Sequence, residues 1–229
     1  MKIILQEDEK GRYYEIMNKG RQKTFVITTV VSIDMTEADL FRRKVEKENN
    51  VRITFTSLII KASANALEDF PFICGCWDGD DIVRCPNPGE ITISGSVKVE
   101  NTLGSFIIEG ASQKGLLEIS KELDSQIHEA RSKDKGMEFP PLPFFLITNP
   151  GTLGPLESAD MFGFVPETVA TMALSTILEK PAVKDGQIQI RRMMNSILFS
   201  NHRAMNADIP IEFQTQLKRD LEEPFTYLI

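Results

Sequence analysis

The run Thr24-Phe25-Val26-Ile27-Thr28-Thr29-Val30-Val31-Ser32-Ile33 is rich in β-branched residues and predicts a first strand, because branched side chains pack well on a pleated surface. A helix is expected next, with Thr36 and Asp39 at its N-cap and Leu40, Phe41 and Val45 turned to the core. A second helix, capped by Thr56 or Ser57, runs through Leu67 and ends before Pro71, with an Ala-rich surface suited to packing on a sheet. Strands are expected over Asp81 to Arg84, Ile91 to Val99 and Ser105 to Ile108. A long helix from Gly115 to about Arg131 carries Ile119, Leu123 and Ile127 as its buried stripe and leaves His128 among charges on the solvated side. The Pro-rich stretch Phe139 to Pro143 leads into a strand over Phe144 to Thr148. Asp185-Gly186 between the apolar runs around Ala182-Val183 and Ile188 to Ile190 is a hairpin signal, so the return strand delivers His202 at its end. Asp208 then caps a last helix in which Ile209, Phe213, Leu217 and Leu221 recur at helical spacing.

A chain of 229 residues with 41% apolar residues is long enough for one large α/β domain with a sizeable core. The apolar run at Met1 to Asp8 is too short for a signal peptide and no later run reaches membrane-spanning length, so a cytoplasmic protein without membrane contact is expected. A net charge of −7 argues against a nucleic-acid surface, and Arg191-Arg192 is too small a cluster to reverse that. Cys74, Cys76 and Cys85 lack paired zinc-ribbon spacing and a nearby histidine, so they are expected to be reduced structural thiols, with no metal bound.

The candidate chemistry lies in Ser200-Asn201-His202-Arg203-Ala204-Met205-Asn206-Ala207, where one of two histidines follows an apolar strand-like run and precedes a helix. Imidazole titrates near neutrality, so it accepts a proton from a thiol or hydroxyl and returns it within one cycle. Arg203 and Asn206 are placed to fix the ring and the loop shape.

These residues also carry a resemblance. The stretch Asn201-His202-Arg203-Ala204-Met205-Asn206-Ala207 is similar to the Asp-His-Arg-x-x-Asp/Asn-Gly pattern of the dihydrolipoyl acyltransferases of 2-oxo acid dehydrogenase complexes. Phe144-Phe145-Leu146-Ile147-Thr148-Asn149-Pro150-Gly151 resembles their Thr-Phe-Thr-Ile-Ser/Thr-Asn-x-Gly block. Ser32-Ile33-Asp34-Met35-Thr36 and Thr54-Phe55-Thr56-Ser57-Leu58-Ile59-Ile60-Lys61-Ala62 match in order, and the likeness runs from about Thr24 to the end. It implies an α/β fold of the two-layer α+β sandwich kind, chloramphenicol acetyltransferase-like, with a mixed central sheet and flanking helices. Residues 1–229 are then a single acyltransferase catalytic-type domain, without lipoyl or peripheral-subunit-binding domains. The resemblance implies a homotrimer with His202 of one subunit as general base and Thr148 of the next as oxyanion stabiliser. CoA or acyl-CoA is the implied substrate, and any lipoyl group arrives on a carrier protein in trans because this chain lacks a lipoyl-lysine hairpin.

Departures from the pattern leave the substrate open. The family strand Gly-Leu-x-Val-Pro-Val-Ile-Arg, which lines its substrate channel, becomes Thr102-Leu103-Gly104-Ser105-Phe106-Ile107-Ile108-Glu109, with Phe106 at the proline and Glu109 at the arginine. Leu-Ser-Leu-Ser becomes Ser196-Ile197-Leu198-Phe199, so Phe106 and Phe199 are expected to face substrate in place of the family's groups, together with the retained Arg203. Ala207 replaces a glycine, which matters if that position needs a positive φ. Three readings remain at this level: a CoA-dependent acyltransferase, an antibiotic O-acetyltransferase-like enzyme acting on a hydroxyl, and a noncatalytic trimeric scaffold. The apolar terminus Phe225-Thr226-Tyr227-Leu228-Ile229 either joins trimers into a larger assembly or folds onto its own subunit.

Overall fold

In the computed structural model of the chain, residues 25–77, 83–99, 102–133, 138–160, 165 and 167–228 are described. The expected starts of two strands, Thr24 and Asp81, the segment Met1 to Asp8 and the last residue Ile229 lie outside them. Strand β1 (Val26–Asp34) leads into helix α1 (Thr36–Asn49), and α2 (Phe55–Asp69) follows after a short turn. A two-stranded ladder, β2 (Cys76–Trp77) with β3 (Val83–Arg84), precedes the hairpin β4 (Ile93–Val99) and β5 (Thr102–Ile108). Then come α3 (Leu116–Lys133), β6 (Phe145–Thr148), β7 (Ala170–Leu174), β8 (Leu178–Lys184), β9 (Gln187–Asn201), α4 (Asp208–Glu222) and the single turn α5 (Pro224–Tyr227).

The sheet has the order β1-β9-β7-β6-β4-β5, and β8 pairs with the first half of β9. The β4–β6 and β6–β7 pairs are parallel and the rest antiparallel, so the sheet is mixed as expected. One core cluster gathers apolar side chains from the four long helices and the sheet, among them Phe41, Leu58, Ile119, Phe145 and Phe213. The architecture is therefore a two-layer sandwich with the long helices on one face. A small second cluster of Ala173, Ile197 and Phe199 seals the opposite face.

Local structure departs from the sequence reading at the helix ends. In α1, Asp34 is the acceptor: its carboxylate takes the Thr36 backbone N–H at 3.0 Å and the Thr36 hydroxyl at 2.6 Å, so neither Thr36 nor Asp39 is the cap. Asp39 is buried by three arginines, and Leu40 is 54% exposed because it lies about 100° round the helix from Phe41 and about 140° from Val45, off the face those two share. In α2 the cap is Thr54, which exchanges hydrogen bonds reciprocally with Ser57 as a capping box; Thr56 is inside the helix. Asp208 is the first helical residue of α4 and not its cap; Ala207 precedes it without a side-chain bond. The Asp208 carboxylate still complements the positive end of that helix. Phe213, Leu217 and Leu221 are fully buried as the spacing predicts. The Asp185-Gly186 turn has both residues at positive φ, 53° and 74°, as a two-residue hairpin of type I′ demands.

Candidate active site

Strand register decides what the end of β6 presents. Gly95 pairs with Ile147, and Thr148 pairs with Ala173, which is itself opposite Ile197 of β9. Thr148 thus stands at the C-terminal end of β6, where the chain leaves the sheet through Asn149-Pro150-Gly151. Gly151 is needed there: a Cβ would come within 2.3 Å of the Ser175 backbone, so the loop lies directly on the segment after β7. The Thr176 hydroxyl ties the loop down, 2.5 Å from the Gly154 carbonyl oxygen and 3.0 Å from that of Gly151, with its one proton shared between them.

A cleft of about 880 Å³ opens over these strand ends, bounded by Thr148, Ser96, Phe106, Asn149 and the start of α2 at Phe55 and Thr56. Phe106 lies opposite Gly95 in register, and its ring occupies the place where a Cβ on residue 95 would sit, at 2.2 Å. A channel-strand aromatic therefore fits only because its neighbour is glycine. Asn149 donates its side-chain amide to the Thr56 hydroxyl at 3.4 Å, joining the loop to α2. The cleft walls carry three guanidinium groups, Arg52, Arg131 and Arg192, and no carboxylate among the described lining residues. Arg52 is paired with Asp124 at 2.9 Å and Arg192 with Asp39, so both present donors to the cleft from ion pairs whose carboxylates lie outside its lining.

Arg192 is held by Asp39, which also binds Arg42 at 2.9 Å and Arg43 at 2.8 Å. The guanidinium carbons of Arg42 and Arg192 lie 5.2 Å and 5.4 Å from the centre of the Phe55 ring. Burial by itself would raise the Asp39 pKa, but the hydrogen bonds from Arg42 and Arg43 and the charge of Arg192 outweigh it and hold the carboxyl below its usual value.

His202 sits elsewhere. It follows β9 in a turn built by Asn201, whose carbonyl accepts the N–H groups of Ala204 and Met205 and whose side-chain oxygen accepts those of Phe25 and Arg203. The His202 backbone N–H donates to Phe25 at 2.7 Å, and the imidazole lies against the Phe25 ring, centroids 6.3 Å apart. Its Nδ1 is 3.0 Å from the Met205 carbonyl oxygen. Only a protonated Nδ1 can donate to a carbonyl, so in the neutral ring the lone pair is on Nε2, and the exposed side chain offers it outward. His202 is five residues beyond Ile197, the β9 position level with Thr148. Strand rise and spacing then put the two backbones about 20 Å apart within one chain.

The remaining expected site residues divide. Phe106 and Thr148 line the cleft, whereas Arg203 and Asn206 are exposed beside His202. Phe199 does not face a ligand: it is fully buried with Ile197 and Ala173, because both faces of β9 are covered from Ser196 onward. Ala207 has φ −69° and ψ −20°, ordinary right-handed geometry, so the replaced glycine imposes no strain. Glu109 is exposed and outside the cleft. Sequence reading missed Ser96, Arg52, Arg131 and Arg192, which converge only through sheet register and the packing of α2 and α3. Among the described residues no group of three or more His, Cys, Asp or Glu side chains is arranged to hold a metal, and no helix is long and apolar enough to cross a membrane. Cys74 is buried, and burial pushes its thiol up to about 12.

Comparison with known proteins places this geometry. The dihydrolipoyllysine-residue succinyltransferase component of the 2-oxoglutarate dehydrogenase complex of Haemophilus influenzae is 29% identical over 224 residues, which is 96% of this chain and 54% of that protein. The chain spans about half the length of the curated relatives it matches. A structure of Azotobacter vinelandii dihydrolipoamide acetyltransferase, solved to investigate the catalytic roles of a serine, a histidine and an asparagine, superposes with a TM-score of 0.84 at 22% identity, covering 100% of this chain and 94% of that one. Chloramphenicol acetyltransferase shares the fold more distantly, with a TM-score of 0.54 at 11% identity over 100% and 98% of the two chains. Residues 9–229 match the family described as 2-oxoacid dehydrogenases acyltransferase (catalytic domain), and the chain belongs to that family.

Proposed function

We propose that this chain is a catalytic-type domain that transfers an acyl group between CoA and a thiol, the favoured acceptor being a protein-borne lipoyl group. The observation that carries the reading is the separation of Thr148 from His202 by about 20 Å, each with the local geometry for one half of the reaction. A cyclic arrangement of three subunits, in which His202 of one faces the cleft of the next, joins the halves. The β8–β9 hairpin supports such an arrangement, since Val183, Ile188 and Ile190 are 74–79% exposed, apolar surface that a neighbouring subunit would cover. In the Azotobacter protein the histidine and asparagine under study are four positions apart, the spacing of His202 and Asn206.

In this mechanism the neutral imidazole of His202 takes the proton of the acceptor thiol on Nε2 while Nδ1–H stays on the Met205 carbonyl. The thiolate attacks the thioester carbonyl of acyl-CoA, and the tetrahedral oxyanion accepts a hydrogen bond from the Thr148 hydroxyl. Collapse breaks the carbon–sulfur bond to CoA, and the departing thiolate takes the proton back from Nε2. No bond forms between acyl group and protein. The arginines at the cleft suit the phosphates of CoA. Asn206 and Arg203, both exposed beside His202, are assigned with it to the face that meets the next subunit's cleft, and the three free cysteines fit a reducing, cytoplasmic compartment.

The test is a panel of acyl-CoA thioesters offered with dihydrolipoamide or with alcohols, reading S-acyl-dihydrolipoamide by mass and CoA thiol release for the alcohols. Transfer to the dithiol is expected. Transfer to alcohols alone would move the assignment to an O-acyltransferase, and no transfer to either would leave a scaffold.

A further inference from the structure

We propose that Ser96 is a positioning residue for Thr148, aiming the threonine proton into the cleft as negative charge builds on the thioester oxygen; the inference rests on the acyl-transfer reading above. The parallel register of β4 and β6 pairs Gly95 with Ile147 and so brings the next residues, Ser96 and Thr148, side by side at the strand ends. Their hydroxyl oxygens are 3.2 Å apart, and both line the cleft. Among the described residues neither hydroxyl has another hydrogen-bond partner. Ser94, two positions earlier, shows the ordinary alternative: its hydroxyl donates to the Phe106 carbonyl at 3.1 Å.

A hydroxyl has one proton to give. If Thr148 donates to Ser96, its proton is lost to the oxyanion; if Ser96 donates to Thr148, the threonine proton is left for the cleft. A developing oxyanion selects the second arrangement, and the bond accepted from Ser96 polarises the Thr148 O–H and makes it a better donor. Ser96 therefore acts through Thr148 and needs no contact with substrate. Without it the Thr148 hydroxyl rotates freely, and the loss expected is the worth of one neutral hydrogen bond, roughly threefold to tenfold in turnover.

The experiment is a kinetic double-mutant cycle on the intact protein, with acetyl-CoA and dihydrolipoamide, comparing wild type, Ser96→Ala, Thr148→Ala and the double variant, with Ser96→Thr as the conservative rescue. Ser96→Ala is expected to lower kcat roughly threefold to tenfold and to leave the KM for acetyl-CoA little changed. Ser96→Thr should retain turnover, and Ser96→Ala should have no further effect once Thr148 is alanine. Unchanged kcat, a loss confined to KM, or an equal loss in both backgrounds would each overturn the inference while leaving acyl transfer intact. Absence of transfer by the wild type with every acyl-CoA overturns the reading itself and this role with it. Should Ser96→Ala unfold the sheet, Ser96→Cys, a weaker donor of similar size, is carried through the same cycle with the same criteria.

Discussion

Nδ1 of His202 lies 3.0 Å from the carbonyl oxygen of Met205, a contact inside one turn that fixes which ring nitrogen is free. The ring is exposed and fills no core position, so removing it opens no cavity. His202→Ala is expected to lower turnover by about 10²–10⁴, the range of a lost general base. The melting temperature and subunit number should stay those of the wild type. Steady-state kinetics beside a thermal melt check this, and retained turnover would remove the general-base role.

Thr148→Ala should act differently on the two kinetic constants. Its hydroxyl strengthens its bond only when the oxyanion forms, so turnover should fall by about a hundredfold or more while CoA binding changes little. A raised Michaelis constant at constant turnover would show that Thr148 binds ground-state substrate only.

Mixing these two inactive variants tests the shared site directly. A His202→Ala subunit still supplies Thr148, and a Thr148→Ala subunit still supplies His202. Random co-assembly in cyclic trimers rebuilds about one quarter of the sites, so about a quarter of wild-type activity should return on co-expression. If both residues served one subunit's own site, the mixture would stay inactive.

Much of the fold was legible in the sequence, and the reason lies in which patterns have a single reading. Phe213, Leu217 and Leu221 share an apolar face that leaves out Thr215 and Arg219 in a helix and not in a strand, and Asp185-Gly186 tolerates the two positive φ values that a tight hairpin needs. Strand β7 was not read, because Ala170-Thr171-Met172-Ala173-Leu174 is buried on both faces and shows no alternation. The same double burial hid the true place of Phe199, since a strand covered on both sides does not say which residues meet ligand. His202 stands out by its imidazole and its place between a strand-like run and a helix, and Thr148 through motif resemblance, whereas Ser96 and Arg192 carry no local signal. Their roles exist only after the β4–β6 register and the Asp39 cluster bring them to the cleft.

Acid should weaken the fold through Asp34 and Asp39. Burial opposes ionisation in both. For Asp34, hydrogen bonds from Thr36 and Arg191 prevail; for Asp39, the arginines do, so both folded-state pKa values lie below the unfolded ones. Their stabilisation is present above the unfolded carboxyl value of about 3.9 and is lost as pH falls through the lower folded values. Asp220 has the opposite sign: its burial outweighs the Arg219 hydrogen bond and raises its pKa, so ionising it near and above its unfolded value costs stability. Asp39→Asn should lower stability at neutral pH by roughly 1–3 kcal/mol, less than a fully buried pair because its arginines still reach water, and should flatten the acid limb. Denaturant melts at neutral pH and at a series of values below about 3.9, where these directions place the loss, check it; an unchanged acid limb would contradict the assignment.

The last turn of the chain folds onto its own subunit. Phe225 meets Phe41 of α1 edge-on, ring centres 5.1 Å apart, and Lys44 lies 5.5 Å over the same ring. Leu228 is 1% exposed, the Tyr227 carbonyl accepts from Asn65 at 3.3 Å, and Arg219 covers the Tyr227 ring at 4.4 Å. Within the one chain the tail therefore docks locally, with Leu228 in the core that α1, α2 and α4 share. Ending the chain at Glu223 exposes that core, at a cost of about 2–4 kcal/mol for a buried leucine and a half-buried aromatic. For a chain of this length the melting temperature should drop by roughly 5–15 °C. Subunit number measured by light scattering should be the same for the full and shortened chains at temperatures where both are folded. A shortened chain that melts like the full one but scatters as a smaller particle would show instead that the tail joins subunits.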